Sequence, residues 1–130
     1  SAHQGEVPDP QDPASATRSV LDWAERDDEP HRTLLAWHRD LISLRRRYLL
    51  GDDAAPEVEC DETAGTLVVR RRTVTVVVNL APAARTVGIG GPANEVLLTN
   101  DVSATIADGA ITLAPDSVAV LGVGGGHGSV

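Results

Sequence analysis

The sequence has no phenylalanine, methionine or lysine, a single cysteine, one tyrosine and two tryptophans among 130 residues. Each gap excludes something. Cys60 has no partner within the chain, so no intramolecular disulfide forms, which fits a reducing compartment. Positive charge is scarce: the net charge is -8 with a pI near 4.8, which argues against nucleic acid or an anionic membrane surface as a partner. The longest apolar run, Val74 to Ala84, is broken by Thr75, Asn79 and Pro82 and is too short to span a bilayer. The N-terminal SAHQGEVPDPQDP is polar and Pro-rich, unlike a signal peptide, and a cytoplasmic location is expected. With so few aromatics, Val, Leu, Ile and Ala must fill the core. The length suits one ordinary domain with an appended element, and falls short of the roughly 250 residues of a (β/α)₈ barrel.

Catalytic patterns are missing as well. No serine sits in a GxSxG turn, and GIGG at Gly88 to Gly91 opens no helix. Of His3, His31, His38 and His127, only His31 and His38 share a helix face, and they lie about 10.5 Å apart along its axis, too far to chelate one zinc ion. Asp9 and Asp12, three apart on a Pro-rich segment, read as solvated carboxylates rather than a cation site. Asp22, Glu25, Asp27, Asp28 and Glu29 read as capping and solvation. No catalytic residue, metal or cofactor is indicated.

What is present is organised around Thr66 to Leu80, TLVVRRRTVTVVVNL. Period-2 alternation in β-branched residues, interrupted by a polar step, predicts two antiparallel strands. Val77 joins the apolar set, so the second strand should be buried on both faces and central in its sheet. The arginines at 70–72 read as an exposed hairpin turn, and those at 45–47 as cations complementing a helix end.

Upstream, residues 1–27 are expected to form an extended Pro-rich loop with a short helical turn. Over 28–51 an amphipathic helix of about five turns is expected, with Asp28 and Glu29 at its start, Pro30 in its first turn and Gly51 at its end. Leu34, Trp37, Leu41, Leu44 and Tyr48 form its apolar stripe. GDDAAP at 51–56 marks the boundary. Strands then follow at Glu57–Cys60, Thr66–Arg71, Thr73–Leu80, Thr86–Ile89, Glu95–Thr99, Ala104–Ala107, Ala110–Leu113 and Ser117–Leu121, separated by turn signals that include Asp108-Gly109. The fold class is therefore mainly β: an antiparallel β-sandwich of seven to eight strands, Greek-key-like, over 56–123, preceded by the helix and the loop. Residues 124–130 read as a disordered tail.

VPDPQDP (Val7–Pro13), RSVLDW (Arg18–Trp23) and LLAWHRDLISLRR (Leu34–Arg46) resemble the C-terminal part of malto-oligosyltrehalose trehalohydrolases of the alpha-amylase superfamily. VTVVVNL (Val74–Leu80) and LAPDSVAVL (Leu113–Leu121) resemble the Asn-ended strand and the closing strand of the C-terminal β-domain in such enzymes. The resemblance covers nearly the whole chain. Ala16 stands where that family usually carries an aromatic, and the triple arginine at 70–72 is richer than the usual turn. The family's nucleophile Asp, acid/base Glu and stabilising Asp lie on barrel strands that have no counterpart here.

The resemblance implies that 28–51 is the last barrel helix. It also implies a non-catalytic scaffold role for this chain in a trehalose-releasing glycoside hydrolase of trehalose biosynthesis, with the catalytic barrel as partner. Maltooligosyltrehalose or another α-glucan would be met only through the parent enzyme, where Asp9, Gln11 and Asp12 are candidate sugar contacts. The chain alone is expected to be inactive. Without a barrel, the stripe of Leu34, Trp37, Leu41, Leu44 and Tyr48 must pack on the sandwich or drive a homodimer. Two rival readings exist. One is a carbohydrate-binding module, disfavoured because no aromatic residue follows Gly51 to stack on a sugar. The other is a freestanding interaction protein using the helix face.

Overall fold

In a computed structural model, the structure describes residues 10–14 and 21–124. The alternation in Thr66 to Leu80 becomes two adjacent strands, β2 (Thr66–Arg71) and β3 (Val74–Asn79), paired antiparallel from Thr66–Asn79 to Arg71–Val74. β1 (Glu57–Asp61) pairs with β2 at the outer edge. The chain then leaves for a second sheet through β4 (Arg85–Gly88), returns as β5 (Glu95–Thr99), and crosses again as β6 (Thr105–Ala107) and β7 (Ala110–Leu113). The last strand, β8 (Ser117–Gly122), inserts between β3 and β5. The result is an antiparallel sandwich of a five-stranded sheet, β1-β2-β3-β8-β5, on a three-stranded sheet, β4-β7-β6. All eight expected strands are present, with end shifts of one residue at most. A bulge between Val96 and Leu98 interrupts the β5–β8 register, a common way to blunt a sheet edge.

The interior of the sandwich is built without one aromatic ring. Val68, Val77, Ala119 and Leu121 from the larger sheet meet Val87, Ile111 and Leu113 from the smaller, with Ile89 and Ala93 contributed by the β4–β5 connection. Asn79 lies among them with no solvent exposure. Its Nδ2 donates to the carbonyls of Ala83 (3.0 Å), Leu113 (3.1 Å) and Ala114 (3.0 Å), and its Oδ1 accepts from the Ala81 amide (2.9 Å). The chain crosses between sheets here, where strand ladders cannot satisfy the backbone, and one amide side chain satisfies it instead.

The Asp108-Gly109 turn takes φ of 53° and 74°, as a two-residue type I′ hairpin requires. Gly90 is constrained twice. Its φ is +65°, and an added Cβ would come within 2.6 Å of the Arg70 guanidinium.

The arginines at 70–72 correct the expectation of an exposed turn. Only Arg72, with φ of 34°, occupies the turn. Arg70 and Arg71 are strand residues, and alternation sends them to opposite faces of the sheet. Arg70 closes one end of the interior. Its Nε donates to the Ile89 carbonyl at 2.6 Å, and its Nη1 pairs with Glu59 at 2.9 Å and Glu57 at 3.4 Å. The carboxylates are mostly in solvent, so the bond to Ile89 matters more than the ion pairs.

At the β5–β6 corner, Asp101 accepts from the Ala114 amide at 2.8 Å, the Ser103 amide at 2.9 Å and the Ser103 hydroxyl at 2.6 Å. The Ala114 amide first, then the Ser103 hydroxyl and amide, hold its carboxyl below the usual 3.8. A carboxyl depressed on folding stabilises the fold above its unfolded value, and that contribution is lost as pH falls through the folded value. Asp101→Asn is therefore expected to flatten the fall in urea midpoint below about pH 4. Parallel titrations of parent and variant between about pH 5 and pH 2.5 check this, and an unchanged slope would count against it.

Ahead of the sandwich lie a 3-10 turn at Trp23–Asp27 and a helix, α1 (His31–Tyr48). Asp22 caps the 3-10 turn, accepting from the Ala24 amide at 3.0 Å. α1 starts one residue beyond Pro30, whose carbonyl accepts from the Leu34 amide at 3.1 Å. The Glu29 carboxylate accepts from the Thr33 hydroxyl and from Arg32, and those two bonds, in that order, lower its pKa. The chain divides into two compact units, Ser1–Arg39 and Asp40–Val130, with the division inside α1.

A candidate docking face

β3 carries apolar residues on both sides, and so does the sheet around it. The inner side is sealed: Val68, Val77, Ala119 and Leu121 are all at most 3% exposed. The outer side follows from the register. Val58 stands opposite Val69 and Cys60 opposite Leu67; Val69 pairs Val76, and Leu67 pairs Val78. Val76 and Val78 then face Val120 and Val118 of β8. This outer face is apolar from edge strand to β8, whereas an antiparallel sheet with one wetted side would show polar residues there.

Part of the outer face is covered from within the second unit. Leu41, Leu44 and Leu49, from the end of α1 and just beyond it, line a cavity of about 120 Å³ with Val74, Val76 and Val120. Val74 and Val120 fall to 7% and 6% exposure beneath them. The rest stays more open. Leu67, Val69, Val78 and Val118 are half-buried, and Val58 is 59% exposed. A second apolar strip follows the same helix end, where Ile42 and Leu50 are 50% and 85% exposed beside Arg45 and Arg46 in an open recess.

Within the first unit, Leu21, Trp23, Leu34 and Leu35 line a groove of about 360 Å³ with His31 and His38. Leu21, Trp23 and Leu34 are 69%, 72% and 55% exposed. The His38 ring Nδ1 lies 2.8 Å from the Leu34 carbonyl, within its own helix.

The five stripe residues thus have different surroundings. Leu41 and Leu44 meet the sheet, Leu34 lines the groove, and Trp37 is half-buried. Tyr48 is half-buried with the Arg47 guanidinium 5.3 Å from its ring centroid. No residue of α1 is fully buried. Of the candidate sugar contacts, Gln11 and Asp12 are exposed, and the Asp12 carboxylate accepts from the Ala14 amide at 2.9 Å. Asp9 lies outside the described residues, as do most of the proposed tail and His3 and His127. Among the described residues no three His, Cys, Asp or Glu side chains are grouped to hold a metal. No helix among them is long and apolar enough to cross a membrane.

The sandwich thus has one sealed face and one apolar, partly open face. Residues 47–120 match the model of the family described as "Domain of unknown function (DUF3459)", and the chain belongs to that family. It is also similar to malto-oligosyltrehalose trehalohydrolases: 51% identical over 76 residues to that of Arthrobacter ramosus, covering 58% of this chain and 13% of that protein. The Brevibacterium helvolum enzyme is 39% identical over 118 residues and the Rhizobium sp. (strain M-11) enzyme 40% over 121. Each comparison covers 88% of this chain and 20% of the relative. The chain therefore spans about a fifth of the length of these relatives. Among solved structures, a MUTB mutant from crystals soaked with trehalulose shares the fold, with a TM-score of 0.61 at 20% identity over 79% of this chain and 20% of that one.

Proposed function

We propose that this chain is the non-catalytic C-terminal domain of a trehalose-releasing glycoside hydrolase, serving as scaffold for a catalytic barrel. The observation that carries the reading is the apolar outer face of the five-stranded sheet, in a chain whose relatives are some five times as long. An apolar area of this kind marks an interaction surface rather than a water-facing side. In the parent, the reaction would be hydrolysis of the α-1,4 bond next to a terminal trehalose, by the two-carboxylate retaining route. Both carboxylates would belong to the barrel. The unit from 56 to 123 would then act as a separate β-domain, with Leu34, Trp37 and Tyr48 of the helix stripe left to face the barrel while Leu41 and Leu44 meet the sheet.

The test is chemical. The 130-residue chain incubated with maltooligosyltrehalose should release no trehalose above buffer, while a full-length trehalohydrolase in the same assay does. Measurable turnover by the short chain would overturn the scaffold reading. The mass of the native protein in a lysate of its source, detected through the β-domain, separates this from a freestanding interaction protein. A band larger by roughly 250 residues or more fits the proposal, and one near 13.6 kDa does not.

A further inference from the structure

The segment that joins α1 to the sandwich is held by an ionic arrangement that composition alone would place on the surface. The Asp52 side chain is only 5% exposed. Its Oδ2 lies 3.5 Å from Arg71 Nε and its Oδ1 3.3 Å from Arg72 Nε. Arg71 also reaches the main chain of the same segment, its Nη2 donating to the Asp52 carbonyl at 2.6 Å and the Ala54 carbonyl at 3.1 Å. Asp52 in turn ties the segment to the helix end: its amide donates to the Leu49 carbonyl at 3.1 Å, and its Oδ1 accepts from the Ala54 amide at 3.0 Å. Among the described residues, Oδ2 and Arg71 Nε are both buried without a hydrogen-bond partner, so the ion pair between them is what offsets the burial of each.

An enclosed ion pair is a poor source of stability, because desolvation offsets most of the attraction. It is a good source of geometric specificity, because removing one partner strands the other. The Arg71 guanidinium donates from Nη2 to two carbonyls of the segment, and those bonds fix direction while the ion pair adds charge complementarity. The position matters too. Arg71 follows Leu67 and Val69 along the outer side of β2 and stands opposite Val74, which the helix end covers. The clamp therefore sits at the margin of the docking face, where the last turn of α1 meets the sheet.

We propose that Asp52, Arg71 and Arg72 are positioning residues that seat the end of α1 on the sheet, so that helix end and open strands present one surface of fixed shape to the catalytic barrel. The docking role rests on the scaffold reading above; the clamp itself does not. Amide hydrogen exchange of the 130-residue chain, followed by NMR, tests it. Asp52→Asn keeps the shape but removes the charge, and should speed exchange at Leu49 and Asp52 by about tenfold or more. The amides of Val77 and Leu121, in the sandwich centre, should keep their protection. Arg72→Ala, which removes only the solvent-side half of the clamp, should speed the same two amides less, and it keeps the test open if Asp52→Asn does not fold. Unchanged exchange at Leu49 and Asp52 in the folded variants overturns the proposal. So does equal acceleration at Val77 and Leu121, which would reduce the clamp to general stability. Either failure leaves the scaffold reading standing, since the barrel takes no part in the measurement.

Discussion

Replacing Asn79 by alanine is expected to lower the stability of the sandwich by about 3 kcal/mol. The side chain is fully buried and serves three carbonyls and one amide. Removal leaves several buried backbone groups unsatisfied and opens a space too dry for bulk water to repair. For a β-domain of this size the loss corresponds to a fall in melting temperature of roughly 15 °C, read by far-UV circular dichroism. Asn79→Asp is the sharper probe. It preserves the shape but turns a donor into a negatively charged acceptor facing three carbonyls, so at neutral pH it should be worse than alanine. Burial raises such a carboxyl above its unfolded value, so the folded state binds the extra proton and the variant should regain stability as pH falls. Two results would refute this account of the crossover: a loss below about 1 kcal/mol for Asn79→Ala, or an Asn79→Asp variant whose stability is flat with pH.

The neighbouring pair Val77 and Val78 should separate the two faces of β3 even more strongly. Val77 has no exposure and touches only the apolar interior, where an uncompensated carboxylate has no partner. Val77→Glu should cost more than about 4 kcal/mol and leave little folded protein. Val78, one residue on, belongs to the half-open outer face, and Val78→Glu should cost about 1 kcal/mol. Expression level and urea midpoint of the two variants decide the matter. If both unfold, the outer face is as closed as the inner one and cannot be a docking surface. On the scaffold proposal, the tolerated change should become harmful in a full-length trehalohydrolase, where the same carboxylate would be trapped against the barrel.

Much of this architecture was legible in the residues. The β strands follow from alternation, and α1 from apolar spacing at Leu34, Trp37, Leu41, Leu44 and Tyr48. Even the apolar outer face announces itself in Val74-Thr75-Val76-Val77-Val78. Strand order did not. That β8 inserts between β3 and β5, while β4, β7 and β6 form their own sheet, depends on pairings between residues far apart in sequence, which local pattern does not encode. The arginines at 70–72 show a related limit. The expected strand already reaches Arg71, but a polar triplet between apolar runs looks exposed, and only the fold shows that Arg70 reaches the Ile89 carbonyl and Arg71 the Asp52 segment. Asp101 gave no signal either: its partner Ala114 lies beyond two intervening strands, and an aspartate before a turn is ordinary. The clamp at Asp52 is hidden in the same way, since GDDAAP reads only as a domain boundary until Arg71 is seen across it.

The aromatic distribution carries an optical consequence. Trp23, Trp37 and Tyr48 are the only ultraviolet fluorophores, and all three precede Gly51, while the whole eight-stranded sandwich is spectrally silent in that band. Emission therefore reports the helical segment alone, and Trp37, half-buried where Trp23 is exposed, should dominate any change. Amide absorbance reports the strands. One unlabelled sample thus contains two independent thermometers, and the gap between their midpoints measures how tightly the helical segment is tied to the fate of the sheets.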